Sequence, residues 1–188
     1  TGWEEQPYWF RSFVKLAVLS GNERTLAIAR DWVEKILATA RSDGWYGPEP
    51  LRKVLLEDGT FFCDIWGHMI MCEALLSWHD YSHDGRILEL LSRFVDFCLA
   101  IPDDRFLKTT HLKWDLKKAS WLPCIQQMRA GDMISTLFRL YDASGRDSYL
   151  ALADRIWRVY YEKPVSLFLD RHNVMFCQRF SYPSIYAR

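Results

Sequence analysis

The sequence predicts an all-α protein built from repeated helical hairpins, and three observations carry that expectation. One motif recurs twice at an identical interval, the apolar residues flanking it keep helical spacing, and strand-like alternation is scarce. The motif reads Ser20-Gly21-Asn22-Glu23-Arg24-Thr25-Leu26, then Ser82-His83-Asp84-Gly85-Arg86-Ile87-Leu88, then Ser144-Gly145-Arg146-Asp147-Ser148-Tyr149-Leu150, with its serines 62 residues apart each time. Before the motif the columns Phe13/Leu75/Leu137, Val14/Leu76/Phe138 and Leu16/Trp78/Leu140 are all apolar. After it come Leu26/Leu88/Leu150, Ala29/Leu91/Ala153 and Val33/Val95/Trp157, spaced i, i+3, i+7 along one helix face.

Each repeat therefore reads as two helices joined by a tight turn. Small polar residues or glycine stop the first helix, and an acid near the start of the second suits its dipole. The first helices are expected at about 8–20, 65–81 and 127–142, and the second at about 23–41, 86–101 and 147–162. A fourth first-type helix is expected to begin near Asn173 and run to the end of the chain. The units fall at about 1–63, 64–125, 126–171 and 172–188. Hairpins of about 60 residues with long connections suit an α/α toroid better than a thin solenoid, whose repeats run about 34–47 residues. Six such hairpins close a ring, so residues 1–188 supply about half of one, as three hairpins and the start of a fourth.

The connections are lopsided. Turns within hairpins are short, whereas loops between hairpins span about 42–64, 102–125 and 163–172. They hold Asp43-Gly44-Trp45-Tyr46-Gly47-Pro48, Leu112-Lys113-Trp114-Asp115 and Trp121-Leu122-Pro123. All would lie at the end of the ring where the first helices start, and long aromatic loops on a rigid scaffold are where binding residues gather. Four polar and aromatic motifs fall at those starts: Trp3-Glu4-Glu5 with Tyr8-Trp9, Asp64-Ile65-Trp66-Gly67-His68, Gln126 to Asp132, and His172-Asn173-Val174. Flat rings suit the C–H faces of sugars, while carboxylates, amides and imidazoles suit their hydroxyls. Trp9, Asp64, Trp66, His68, Asp132, His172 and Asn173 are accordingly the candidate substrate-binding residues. Each has a structural alternative. Asp64 suits an N-cap, His68 a core position, Asp132 a pair with Arg129 three residues earlier, His172 a capping or packing role, and Tyr8 and Trp9 the core.

Composition narrows the function class. Lys and Arg total 24 and Asp and Glu total 24, so there is no basic excess of the kind that nucleic-acid binders carry. Nine Trp in 188 residues fit half-open clefts and the packing of large helices equally well. No apolar run of about 18 residues indicates a membrane span. Cys63, Cys72, Cys98, Cys124 and Cys177 show no C-x-x-C pairing or zinc spacing, which favours reduced thiols and a reducing, cytoplasmic compartment.

The stretches Trp32-Val33-Glu34 with Asp43 to Pro48, Asp64 to Met71, Arg129 to Asp132, His172-Asn173-Val174 and Pro183-Ser184-Ile185-Tyr186 resemble, in order and spacing, the β-L-arabinofuranosidases of glycoside hydrolase family 127 and their uncharacterised relatives. The resemblance implies an (α/α)6 barrel, a carbohydrate substrate, and sugar contacts at His68 and His172. That family reads G-H-P-E where this chain has Arg129-Ala130-Gly131-Asp132, so the acid is kept and a histidine lost. The resemblance also implies that the catalytic cysteine and its zinc site lie downstream, because no adjacent cysteine pair occurs here. The chain is thus expected to be an internal piece of a glycosidase, shaping part of the sugar cleft, without its nucleophile or a cofactor of its own. Its expected partners are the sugar and the remainder of the ring, with self-association where that remainder is missing. Two other classes fit the same features: another sugar-active toroid (an unsaturated-uronyl hydrolase, or an epimerase using His68 and His172), and a non-catalytic glycan-binding scaffold.

Overall fold

A computed structural model describes residues 5–55, 59–107, 126, 129–162, 177 and 180–187. Helices α1 (Glu5–Ser20) and α2 (Glu23–Thr39) form hairpin 1, α4 (Trp66–Ser82) and α5 (Gly85–Ala100) hairpin 2, and α6 (Asp132–Ser144) and α7 (Asp147–Glu162) hairpin 3. The first helices end at Ser20, Ser82 and Ser144 and the second begin at Glu23, Gly85 and Asp147, so the 62-residue interval survives in the helix boundaries themselves.

The turn chemistry explains why. After each terminal serine the chain takes a left-handed conformation, at Gly21 (φ 61°), His83 (φ 55°) and Gly145 (φ 68°). Its amide reaches back four residues, to the carbonyls of Ala17 (3.1 Å), His79 (2.7 Å) and Tyr141 (2.7 Å), which closes the helix end. The next N–H, of Asn22, Asp84 or Arg146, then donates to the serine hydroxyl at 3.3, 3.3 and 3.4 Å. Asn22 caps the following helix by accepting from the amides of Arg24 and Thr25, and Asp84 does so from the amide of Arg86. Arg146 has no side-chain oxygen and can make no such cap.

Two compact units result, one comprising the residues up to Pro48 with Gly67–Ala100, the other Glu49–Trp66 with the residues from Ile101 onward. In the first unit α2 packs on α5 over a core that includes Phe10, Val14, Ala29, Val33, Leu75, Leu90, Leu91 and Phe94. Polar contacts join the same two hairpins. Arg11 and Lys15 of α1 both bind Glu73 of α4, and Arg86 of α5 binds Glu34 of α2 through two nitrogens at 3.1 and 2.5 Å. The second unit packs α6 on α7 and buries Ile134, Leu137, Leu140, Leu152 and Ile156.

Three sequence expectations need correction. The loop expected over 42–64 contains a short helix, α3 (Glu49–Arg52), and a ribbon of β1 (Val54–Leu55) against β2 (Phe61–Phe62), paired Val54 to Phe62 and Leu55 to Phe61. Strands of two residues carry no alternation long enough to read, and with them the fold remains mostly helical, consistent with an all-α class. The helix expected over 127–142 is interrupted: Gln126 and Arg129 are helical, Ala130 and Gly131 form a turn, and the regular helix α6 follows from Asp132, with the Tyr182 ring occupying the space a Cβ at Gly131 would need. The expected fourth helix is not one continuous helix. Phe180 and Ser181 form a turn, and α8 (Tyr182–Tyr186) starts afresh with Pro183 in its first turn, where a missing N–H costs nothing. Residues 108–125 and 163–172, with the loop motifs at 112–115 and 121–123, lie outside the described residues.

Candidate functional site

The sequence candidates separate into distinct environments. In the second unit, the segment leading into α4 is pinned from both sides. The Asp64 amide donates to the Leu51 carbonyl at 2.8 Å, and the Ile65 amide donates to the Gln126 side-chain oxygen at 3.1 Å. Asp64 is buried, and its carboxylate accepts the Trp66 amide at 3.1 Å, the helix-capping alternative raised by the sequence. Trp66 is also buried, with the Arg129 guanidinium 5.5 Å from its ring centre. A cation against that ring face, in a site closed to water, contributes roughly 1–2 kcal/mol.

Asp132, at the start of α6, is half-buried and accepts the Tyr182 hydroxyl at 2.6 Å. Tyr182 is buried and fills the space beside Gly131. The same short helix is fixed at its other end, where Tyr186 stacks on Trp157 with ring centres 4.4 Å apart and donates to Asp154 at 2.9 Å. The Asp132 carboxylate thus holds the Tyr182 hydroxyl while its side chain stays half-exposed.

In the first unit His68 is enclosed. Its ring centre lies 4.1 Å from that of Trp45, 4.9 Å from Tyr46 and 5.0 Å from Phe94, on which it stacks at 13°. Gly47 lies so close that a Cβ there would overlap the imidazole, which explains a glycine at this position. The enclosing segment is held by Trp45 Nε1 donating to the Gly47 carbonyl at 2.9 Å and by the Tyr46 hydroxyl donating to the His68 carbonyl at 3.1 Å. That hydroxyl also meets Cys72 Sγ at 3.0 Å. Neither ring nitrogen of His68 has a hydrogen-bond partner among the described residues. Burial pushes its pKa down to about 3, so it is a neutral imidazole at ordinary pH and cannot donate a proton as imidazolium. Burial likewise pushes the Cys72 thiol up to about 12 and the Tyr46 phenol well above its usual value, so this cluster is uncharged throughout.

Trp9 belongs to neither group. It is 46% exposed on α1, stacked on Phe13 at 4.8 Å and tilted against Trp32 at 5.5 Å. His172 and Asn173 lie outside the described residues. A groove of about 760 Å3, lined by Phe138, Arg139, Tyr141 and Asp142 among others, runs along the middle and C-terminal half of α6 and not at its start.

Sequence reasoning passed over Tyr182, Gln126, Arg129 and Trp45 as site residues. Gln126, Arg129 and Trp45 sit inside motifs already singled out. Tyr182 carried no periodic signal and is brought in only by folding. Among the described residues no group of three or more His, Cys, Asp or Glu is placed to hold a metal ion, and no helix is long and apolar enough to cross a membrane. Comparison with protein-family models, with curated proteins and with solved structures finds no match to this chain.

Proposed function

We propose that this chain is part of a carbohydrate-active α/α toroid of the glycoside-hydrolase type, related to the β-L-arabinofuranosidases, and that it contributes sugar-binding rather than bond-breaking groups. One observation carries this reading: motif segments far apart in sequence, identified by that resemblance, meet in space. Asp132, from the Arg129–Asp132 segment, is bound by Tyr182, which immediately precedes the Pro183–Tyr186 segment. Trp45–Gly47, from the Asp43–Pro48 segment, close over His68 from the Asp64–Met71 segment.

Within this reading Asp132 is the described group best suited to a sugar hydroxyl, since it is a half-exposed carboxylate oriented by Tyr182. His172 and Asn173 are further proposed ligands. Asp64 and Trp66 are buried and support the start of α4, and His68 packs beneath the Trp45–Gly47 segment. The neutral His68 weighs against the epimerase alternative, in which it would have to act as a proton donor. Zinc, if the parent enzyme uses it, would be bound by residues beyond this segment.

The test is ligand-observed NMR of the 188-residue chain with aryl β-L-arabinofuranosides, unsaturated uronides and N-acylhexosamines. Binding of the arabinofuranosides without hydrolysis, weakened about tenfold or more by Asp132→Ala, is the expected result; one lost bond to a charged group corresponds to roughly that factor. Preferential binding of uronides or hexosamines would move the chain to another toroid class, and no sugar binding by a folded chain would remove the proposal.

A further inference from the structure

The outer face of the β1–β2 ribbon gathers positive charge. Side chains alternate along a strand, so the pairing of Val54 with Phe62 and of Leu55 with Phe61 puts Lys53, Leu55, Phe61 and Cys63 on one face. Val54 and Phe62 take the other face, and Phe62 is buried. The first face is therefore the outer one, with Lys53 and Leu55 exposed and Phe61 and Cys63 half-buried. Lys53 Nζ lies 4.9 Å from the centre of the Phe61 ring, and the Arg105 guanidinium lies 4.2 Å from it. A third cation is close: burial pushes the Cys63 thiol up, and the Arg52 and Arg105 guanidiniums both oppose that.

The backbone holds these groups in place. Cys63 Sγ donates to the Arg52 carbonyl at 3.0 Å, and the amides of Arg105 and Phe106 both donate to the Pro102 carbonyl at 2.9 Å. Phe106 and Leu107, which follow Arg105, are buried. The charge is also poorly neutralised. Lys and Arg ion pairs elsewhere among the described residues close to 3.1 Å or less. Arg105 instead meets Asp104 at 3.9 Å, and Lys53 forms no ion pair among the described residues. An aromatic ring attracts cations but brings no charge to cancel theirs, so two like charges held on one ring leave a field that an anion relieves.

The ribbon leads directly into Asp64 and the start of α4, where Ile65 is held by Gln126 and Trp66 is faced by Arg129, three residues before Asp132. We propose that Lys53 and Arg105 form a subsite for a carboxylate, carried by an acidic sugar unit joined to the one that Asp132 binds. A guanidinium fork beside an ammonium suits a carboxylate, and Leu55 and Phe61 on the same face suit the C–H surface of a sugar ring. A uronic acid unit supplies both, whereas an inorganic anion supplies only the charge. This inference rests on the sugar-binding reading and narrows it to glycosides with an acidic neighbouring unit.

Ligand-observed NMR of the 188-residue chain tests it, with aryl β-L-arabinofuranosides whose aryl ring carries a carboxylate directly or at the end of a hexyl chain, each beside its methyl ester. At one or both lengths the acid should bind about tenfold more tightly than its ester, the factor expected for one bond between charged groups. About 0.5 M sodium chloride should remove most of that preference by screening. Lys53→Gln with Arg105→Gln should abolish it and leave the ester's affinity unchanged, whereas Arg30→Gln, an exposed cation on α2, should leave it intact. Both substituted side chains reach solvent, so circular dichroism should show an unchanged helical chain. Equal binding of acid and ester, with the esters still bound, overturns this inference and leaves the sugar-binding reading standing. So does a preference that survives the paired substitution, or one that inorganic sulfate abolishes at the same concentration as the acid. Failure of every arabinofuranoside to bind overturns both.

Discussion

Hairpins 1 and 2 have the same turn, nearly the same helix lengths and the same apolar columns, yet equivalent side chains meet different surroundings. Trp78 and Leu90 are closed off where Leu16 and Ile28 are open. His68 is enclosed by aromatic rings, while Gln6, its counterpart 62 residues earlier, is exposed. A repeat pattern fixes which face of a hairpin is apolar, but the neighbour stacked on that face decides whether its residues contribute to stability or only to stickiness.

The largest expected difference between the hairpins is in acid. An unfolded imidazole titrates near 6.5 and folded His68 near 3, so between those values the unfolded chain holds the extra proton. Stability from this group is complete above about pH 6.5 and is lost as pH falls toward 3, a span on the order of 4–5 kcal/mol. Urea unfolding from pH 7 to 3.5 should show His68→Leu removing that part of the slope, and Gln6→Leu leaving it in place. An unchanged slope in His68→Leu would mean that the imidazole reaches water.

Next comes core truncation. Leu90→Ala should cost about 3 kcal/mol, because the cavity forms in a closed core, and Ile28→Ala less than about 1 kcal/mol, because its side chain is already partly exposed. Equal losses by denaturant titration would abolish the contrast. Smaller again is the bridge between the hairpins. Burial raises the Glu73 carboxyl, but Lys15 and Arg11 outweigh that and hold it below its usual value, so its contribution is present above about pH 4.5 and disappears as pH falls through the folded value. Because Glu73 is half-exposed, Glu73→Gln should cost only about 1 kcal/mol at pH 7, and less at high salt. The smallest effect is at the turn. His83 carries a side chain at a left-handed position that hairpins 1 and 3 give to glycine. His83→Gly should stabilise by roughly 0.5 kcal/mol, the relief of backbone strain being partly offset by glycine's freedom in the unfolded chain. A measured loss would show that His83 makes a compensating contact.

Much of the fold was legible because it repeats. Ser20, Ser82 and Ser144 mark three helix ends, and the columns around them name both faces of each hairpin. The ribbon at Val54–Leu55 and Phe61–Phe62 was not legible, since two residues cannot display a period. The break at Ala130 and Gly131 was hidden for another reason: Gly131 is tolerated within helices in general, and only the Tyr182 ring beside it shows why a larger residue does not fit. For the site, the candidate residues were readable as polar and aromatic groups at helix starts, but their states were not. His68 and Asp132 looked alike in sequence, whereas one is dry and neutral and the other half-exposed and hydrogen-bonded to a tyrosine 50 residues away.

By itself the sequence determined the hairpins, their 62-residue interval and the turns that make it, because helix stops, caps and apolar spacing act over a few neighbouring residues. The tertiary structure alone decided which apolar columns are buried, that Trp45–Gly47 seals His68 from water, and that Tyr182 holds Asp132. Burial, desolvation and long-range hydrogen bonds depend on what arrives from elsewhere in the chain, and nothing local encodes that arrival.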